Sequence, residues 1–223
     1  MSTTRFVPLA LAGILLAGAS PASAQASKRD DLLDRAVAAW SGVKTVRATF
    51  DQTIVNSLTG NTLTSKGEYQ QQRPGRLSVR FSDPSTDRIV ADGKYVWLYL
   101  PSTTPGQVIR SRLGEGGTGT VDLTAQFLST PRSRYDVTSL GAKTVAGRAT
   151  HAYRLVPRPG YDSQFKSAVV YVDDDDASVR KFEVTEPSGL QRTVTLTSFR
   201  TNVPVDAKAF TFTPPSGTRI VDR

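Results

Sequence analysis

Residues 68–113 read EYQQQRPGRLSVRFSDPSTDRIVADGKYVWLYLPSTTPGQVIRSRL, and the punctuation of this stretch decides the fold. Extended segments are separated by Arg73-Pro74-Gly75, Asp83-Pro84, Asp92-Gly93 and the run from Pro101 to Gly106. Each separator has its own turn mechanism: proline presets φ, glycine supplies positive φ, and aspartate hydrogen-bonds nearby backbone. Between the first two turns Leu77, Val79 and Phe81 alternate with Arg76, Ser78 and Arg80. Side chains alternate across a strand, so the first set lies on one face and the second on the other. The stretch is an antiparallel meander with one apolar face and one wet face. The segment after Asp92-Gly93 is different, because Tyr95, Trp97 and Tyr99 point one way and Val96, Leu98 and Leu100 the other. Both faces require cover here, from a helix on one side and from the rest of a barrel, a lid or an apolar guest on the other.

On the N-terminal side, residues 27–40 read SKRDDLLDRAVAAW, with Leu32, Leu33, Ala36, Val37 and Trp40 at helical spacing. Asp30, Asp31 and Asp34 near the start suit the helix dipole, Ser27 or Asp30 can cap, and Ser41-Gly42 ends the helix. From Val46 the period changes to two: Val46, Ala48, Phe50 and Ile54 share a face, with Gln52 the one polar residue among them. The turn Leu58-Thr59-Gly60-Asn61 makes this the first arm of a long hairpin. On the C-terminal side a glycine-rich run from Gly114 to Gly119 precedes a short, mostly apolar segment, Val121 to Ser129, stopped by Pro131. A short helix on a glycine hinge is a candidate lid. Further strands are expected at 135–140, 149–157, 167–172, 179–186, 191–200 and a tail at 210–212. The predicted fold is mainly β: about 11 strands in an up-and-down antiparallel sheet that curls into a full or partial barrel, with an N-terminal helix and a short lid.

The chain has 223 residues, no cysteine and a net charge of +8. One domain is expected over residues 25–223, without disulfides. Residues 1–24 carry Arg5, an apolar run from Phe6 to Ala19, and Ala22-Ser23-Ala24, the pattern of a secretory signal peptide cleaved after Ala24. Without a cysteine to carry lipid, the mature chain is expected to be exported and not lipid-anchored. The basic residues are scattered, with Lys28-Arg29 and Arg180-Lys181 the densest pairs, so no nucleic-acid track is expected.

Chemistry finds little support. The glycine run lacks the strand-to-helix context of a phosphate loop. Asp173 to Asp176 lack the alternating spacing of a calcium loop and read as a turn. His151 is the sole histidine and stands in no nucleophile motif. No metal, cofactor or enzymatic activity is expected. What remains is an apolar cavity. Its expected wall comprises Phe50, Ile54, Leu77, Val79, Phe81, Ile89, Trp97 and Tyr99, roofed by Leu123, Phe127 and Leu128.

Phe50-Asp51-Gln52, Gln72-Arg73-Pro74, Ile89 to Lys94, Trp97-Leu98-Tyr99, Gln107-Val108 and the ending FTFTPPSG at 210–217 resemble the LolA family, periplasmic carriers of outer-membrane lipoproteins. The resemblance implies an incomplete β-barrel with lid helices and a cavity for the acyl chains of lipoprotein cargo. It also implies a monomer in the periplasm, with two partners. These are an inner-membrane ABC complex that releases lipoproteins and an outer-membrane receptor. The family arginine that holds the lid closed matches Arg73, while Leu77 and Val79 stand where the family has aromatic residues. The alternative on the same fold is a periplasmic binding or sensing module for another lipid or glycolipid.

Overall fold

The computed structural model describes residues 32–114, 122 and 124–223. The expected signal peptide and its cleavage site, the caps Ser27 and Asp30, most of the glycine run and Leu123 lie outside the described residues. The first helix, α1, covers 32–41 and buries Leu32, Leu33, Ala36 and Trp40, the stripe that its spacing predicts. The strands are β1 (Thr45–Asn56), β2 (Thr62–Gln72), β3 (Arg76–Asp83), β4 (Arg88–Asp92), β5 (Tyr95–Tyr99) and β6 (Gln107–Arg112). Two short helices, α2 (Ala125–Leu128) and α3 (Pro131–Arg134), then lead into β7 (Tyr135–Val145), β8 (Arg148–Pro157), β9 (Ser167–Asp173), β10 (Val179–Thr185), β11 (Leu190–Thr201) and β12 (Arg219–Asp222).

All of these strands form one open sheet in the order β12-β6-β5-β4-β3-β2-β1-β11-β10-β9-β8-β7. It is an incomplete barrel, but not a single up-and-down meander. The chain makes one meander through β6 and a second from β7 to β11, and the two join where β1 pairs with β11. Consecutive β6 and β7 therefore lie near opposite edges. Neighbours are antiparallel except β12, which runs parallel to β6. This last strand takes the count to twelve.

The tail expected as a strand at 210–212 takes another form. A 3-10 turn at Ala207–Phe210, capped by the Asp206 carboxylate accepting from the Lys208 N–H at 2.9 Å, is followed by an extended stretch and then β12. Pro214 and Pro215 have no N–H for a ladder, so pairing resumes only after them. This segment crosses the convex face of the sheet. Phe212 stands 5.8 Å from the Trp97 ring and 5.9 Å from that of Tyr99, and Phe210 is buried. Ser78, expected on the wet face, is buried together with Val90 on that side. The second cover that the Tyr95 to Leu100 segment demands is thus the chain's own C-terminal segment.

The concave face is set by register. Ala48, Tyr69, Val79, Ile89 and Leu98 form one row across β1 to β5, and Phe50, Gly67 and Phe81 form the next. A side chain at Gly67 would run into the Arg80 carbonyl and come within 2.7 Å of the Phe50 ring. Glycine there lets Phe50 lie across β2 to meet Phe81 edge-on, with ring centroids 5.5 Å apart.

The run Asp173 to Asp176 makes the β9–β10 turn. Asp173 is fully buried and accepts hydrogen bonds from Arg148, from Arg180 Nε at 3.0 Å and from the Asp175 N–H at 3.0 Å. Burial by itself would raise its pKa, but these donors hold it well below the usual carboxylate range. A depressed folded-state pKa contributes stability above about pH 4 that is lost as pH falls toward the folded value. Asp173→Asn should therefore lower stability at pH 7 by about 2 kcal/mol in urea unfolding. The gap from wild type should narrow as the pH is taken below about 4.

Candidate functional site

A cavity of about 410 Å3 opens between the concave face and the segment carrying α2. Phe50, Val79, Phe81 and Ile89 line one side of it, and Phe182, Val184, Val194, Leu196 and Phe199 line the other. Thr124, Gln126 and Phe165 roof it. The two walls come from different meanders, and the β1–β11 ladder brings them face to face. A cleft of about 440 Å3 lies over the neighbouring strands and counts Arg47, Thr49, Glu68, Gln70 and Arg200 among its lining residues. It carries charged side chains of both signs, Arg47 and Arg200 against Glu68.

Of the expected wall, Phe50, Val79, Phe81 and Ile89 line the cavity. Trp97 and Tyr99 do not: they lie on the convex face under Phe212, because Trp97 pairs with Val90 and so shares its face. Leu77 is on the concave side but only 3% exposed, packed in the solid core that includes α1. Ile54 continues the Phe50 row past the cavity lining and stays half-buried. Phe127 is fully buried behind the lining, its ring 5.7 Å from Phe165 and 5.3 Å from Phe182. Leu128 faces α1, where it lines a small cleft with Ala36 and Trp40. Roof residue Gln126, two positions before Leu128, lies on the other side of this short helix.

The β10 and β11 half of the wall was missed in the sequence reading. Its signal is present, since Phe182 and Val184 alternate with charged residues, and Val194 and Leu196 with threonines. The meander at 68–113 gave no reason to place them opposite Phe81.

Arg73 stands beside this roof. Its Nη1 donates to the carbonyls of Trp40 at 2.9 Å and Val43 at 3.1 Å, at the C-terminal end of α1. Its Nε and Nη2 contact Asp122 Oδ2 at 2.8 and 2.7 Å. The other oxygen of Asp122 accepts from the N–H of Ala125, the first residue of α2, at 2.8 Å. The guanidinium also lies 4.3 Å from the centre of the Trp40 ring. One side chain thus ties the β2–β3 turn to α1 and to the start of α2. Burial raises the Tyr69 pKa well above its usual value, nearby Asp122 adds to this and Arg73 opposes it. The phenol is therefore neutral and donates to Gln71 Oε1 at 2.9 Å.

Among the described residues no cluster of three or more His, Cys, Asp or Glu side chains could hold a metal. His151 lies on β8 with Ser139 Oγ 2.7 Å from its Nε2, away from the cavity lining.

A family profile described as "Outer membrane lipoprotein carrier protein LolA" matches residues 41–213. The chain is similar to the "Outer-membrane lipoprotein carrier protein" of Proteus mirabilis, with 28% identity covering 97% of this chain and 98% of that one. It is similar to the protein of the same description from Serratia proteamaculans, with 27% identity covering 96% and 98%. A solved structure of an uncharacterized conserved protein from Thermus thermophilus superposes with a TM-score of 0.54. That match has 16% identity and covers 90% of this chain and 99% of that one, which is a likeness of fold.

The separation of the two faces is testable with the apolar fluorophore 1-N-phenylnaphthylamine. Val194→Trp should fill the cavity and abolish dye binding while unfolding stays cooperative. Trp97→Ala, on the convex face, should leave dye binding within about twofold and lower stability by about 2 kcal/mol.

Proposed function

Since the chain belongs to the LolA family of outer membrane lipoprotein carrier proteins, we propose that it encloses the acyl chains of lipoproteins in the concave cavity. In this reading it carries them through the periplasm from the inner to the outer membrane. The observation that carries the reading is the cavity itself: a wall of apolar side chains roofed, among the described residues, by Thr124, Gln126 and Phe165. Burying a methylene is worth about 0.8 kcal/mol, so one long acyl chain resists water by on the order of 10 kcal/mol. Such cargo needs shelter to cross an aqueous compartment. The role requires enclosure and release but no bond chemistry.

Release requires that the grip be finite, because affinity at one stage is a barrier at the next. Gln52, Thr124, Gln126 and Gln164 interrupt the apolar lining and temper that grip. Arg73 serves as the latch. Entry of chains displaces α2, and the Asp122 carboxylate is the point at which that movement pulls on the arginine. Cargo would come from an inner-membrane ABC complex and pass to an outer-membrane receptor.

The decisive experiment incubates the purified protein with inner-membrane vesicles that hold a radiolabelled lipoprotein and an active releasing complex. A soluble complex of label and protein is expected, and label that stays with the vesicles refutes the reading. Arg73→Leu should fold and bind 1-N-phenylnaphthylamine as wild type does. Its transfer of lipoprotein to outer-membrane vesicles should fall about tenfold, the effect of losing charge-assisted hydrogen bonds.

A further inference from the structure

The cavity wall is interrupted at one end by a line of polar side chains. Gln52 on β1 stands directly opposite Ser65 on β2, and Arg192 on β11 stands one step further along, opposite Ile54. The Gln52 amide nitrogen donates to Ser65 Oγ at 3.1 Å, and its carbonyl oxygen accepts from Arg192 Nη1 at 3.0 Å. Arg192 Nη2 donates in turn to Glu186 Oε1 at 3.3 Å. Gln52 is only 8% exposed, beside the Phe50 and Val194 side chains. An amide in such a place is costly unless both of its ends are bonded, and here both are. Its consequence is a guanidinium held in one orientation where the apolar lining meets solvent, with the Arg192 side chain 37% exposed.

We propose that Arg192, positioned by Gln52 and matched by Glu186, reads the linkage that joins a guest's acyl chains to its headgroup. It donates to ester or amide carbonyl oxygens and disfavours free carboxylates. This rests on the carrier reading above and specifies what that cavity selects. A guest whose tails fill the space beside Phe50 and Val194 has its first polar atoms at the mouth. There the guanidinium has N–H groups beyond those given to Gln52 and Glu186. An unmatched arginine would attract the carboxylate of any free fatty acid. With Glu186 beside it the pair is neutral overall, and an incoming carboxylate meets a like charge. An ester carbonyl accepts a hydrogen bond without bringing a charge. The site thus favours ester-linked anchors over detached fatty acids of the same length.

Three probes of equal chain length separate the possibilities by displacement of 1-N-phenylnaphthylamine: an S-dipalmitoylglyceryl cysteine peptide, its diether analogue without carbonyls, and palmitate. Wild type should bind the diester about tenfold more tightly than the diether. Arg192→Met should bring the two to near parity with diether affinity unchanged. Glu186→Gln should raise palmitate affinity several-fold and leave the diether alone. Equal binding of diester and diether by wild type, or an undiminished preference in Arg192→Met, overturns the proposal and leaves the carrier reading standing. Failure of all three probes to bind overturns both. Should Arg192→Met not fold, the Glu186→Gln variant decides, since unchanged palmitate affinity overturns the proposal.

Discussion

The ladder between β1 and β11 is the constraint on which the rest of this structure depends. Residues Val46 to Asn56 pair with a strand about 140 positions away in sequence, and the pairing carries one meander onto the edge of the other. Without it each meander would keep an extra open edge of unpaired backbone groups, a state that buried or half-buried strands do not tolerate. Loop-closure entropy rises only slowly with length, so bridging so long a separation is not prohibitive. A register shift between Thr49 and Phe50 accompanies the ladder, and irregularities of this kind bend a strand and increase its twist. The cavity lies over this region.

Both faces of the sheet are apolar in places, and the cavity walled by Phe50, Phe81 and Phe182 lies on the concave one. On the convex side the C-terminal segment lays Phe210 and Phe212 over β3 to β5, and β12 fastens it to the sheet edge. Arg110 of β6 bonds both oxygens of Asp222 at 2.6 and 2.9 Å, and its guanidinium faces the Tyr95 and Trp97 rings at 4.9 and 5.3 Å. These bonds hold the Asp222 carboxyl below its usual pKa. On the concave side α1 covers the Leu77 end, while among the described residues the Phe81 and Phe182 end is roofed by the short α2 segment and Phe165. Unequal cover of two similar faces leaves the concave cavity.

The polar groups around that space divide into two sets with different physical roles. Arg73, Asp122 and the α1 carbonyls join the turn before β3 to the roof segment. Ser65, Gln52, Arg192 and Glu186 form a chain of hydrogen bonds across the wall. In the role proposed above, the first set is assigned the closure and the second the grip.

Much of the fold was legible because strand and turn signals are local. Period-two alternation at 46–54 and 76–81, helical spacing at 32–40, and the Pro, Gly and Asp punctuation each act through near neighbours. Four of the wall residues, Phe50, Val79, Phe81 and Ile89, were legible for the same reason. Trp97 and Tyr99 were misplaced because a strand apolar on both faces does not say which face the chain itself will cover. The sequence by itself determined the elements and the sheet's β character, whereas Arg73 was singled out through the family resemblance and not through its own local pattern. Only the tertiary structure decided which strands would meet, that the C-terminal segment would fill the convex side, and that Phe182 and Val194 would complete the wall. The physical reason is that alternation within a strand is set by backbone geometry, whereas partner choice between strands is set by pairing and packing across the whole chain.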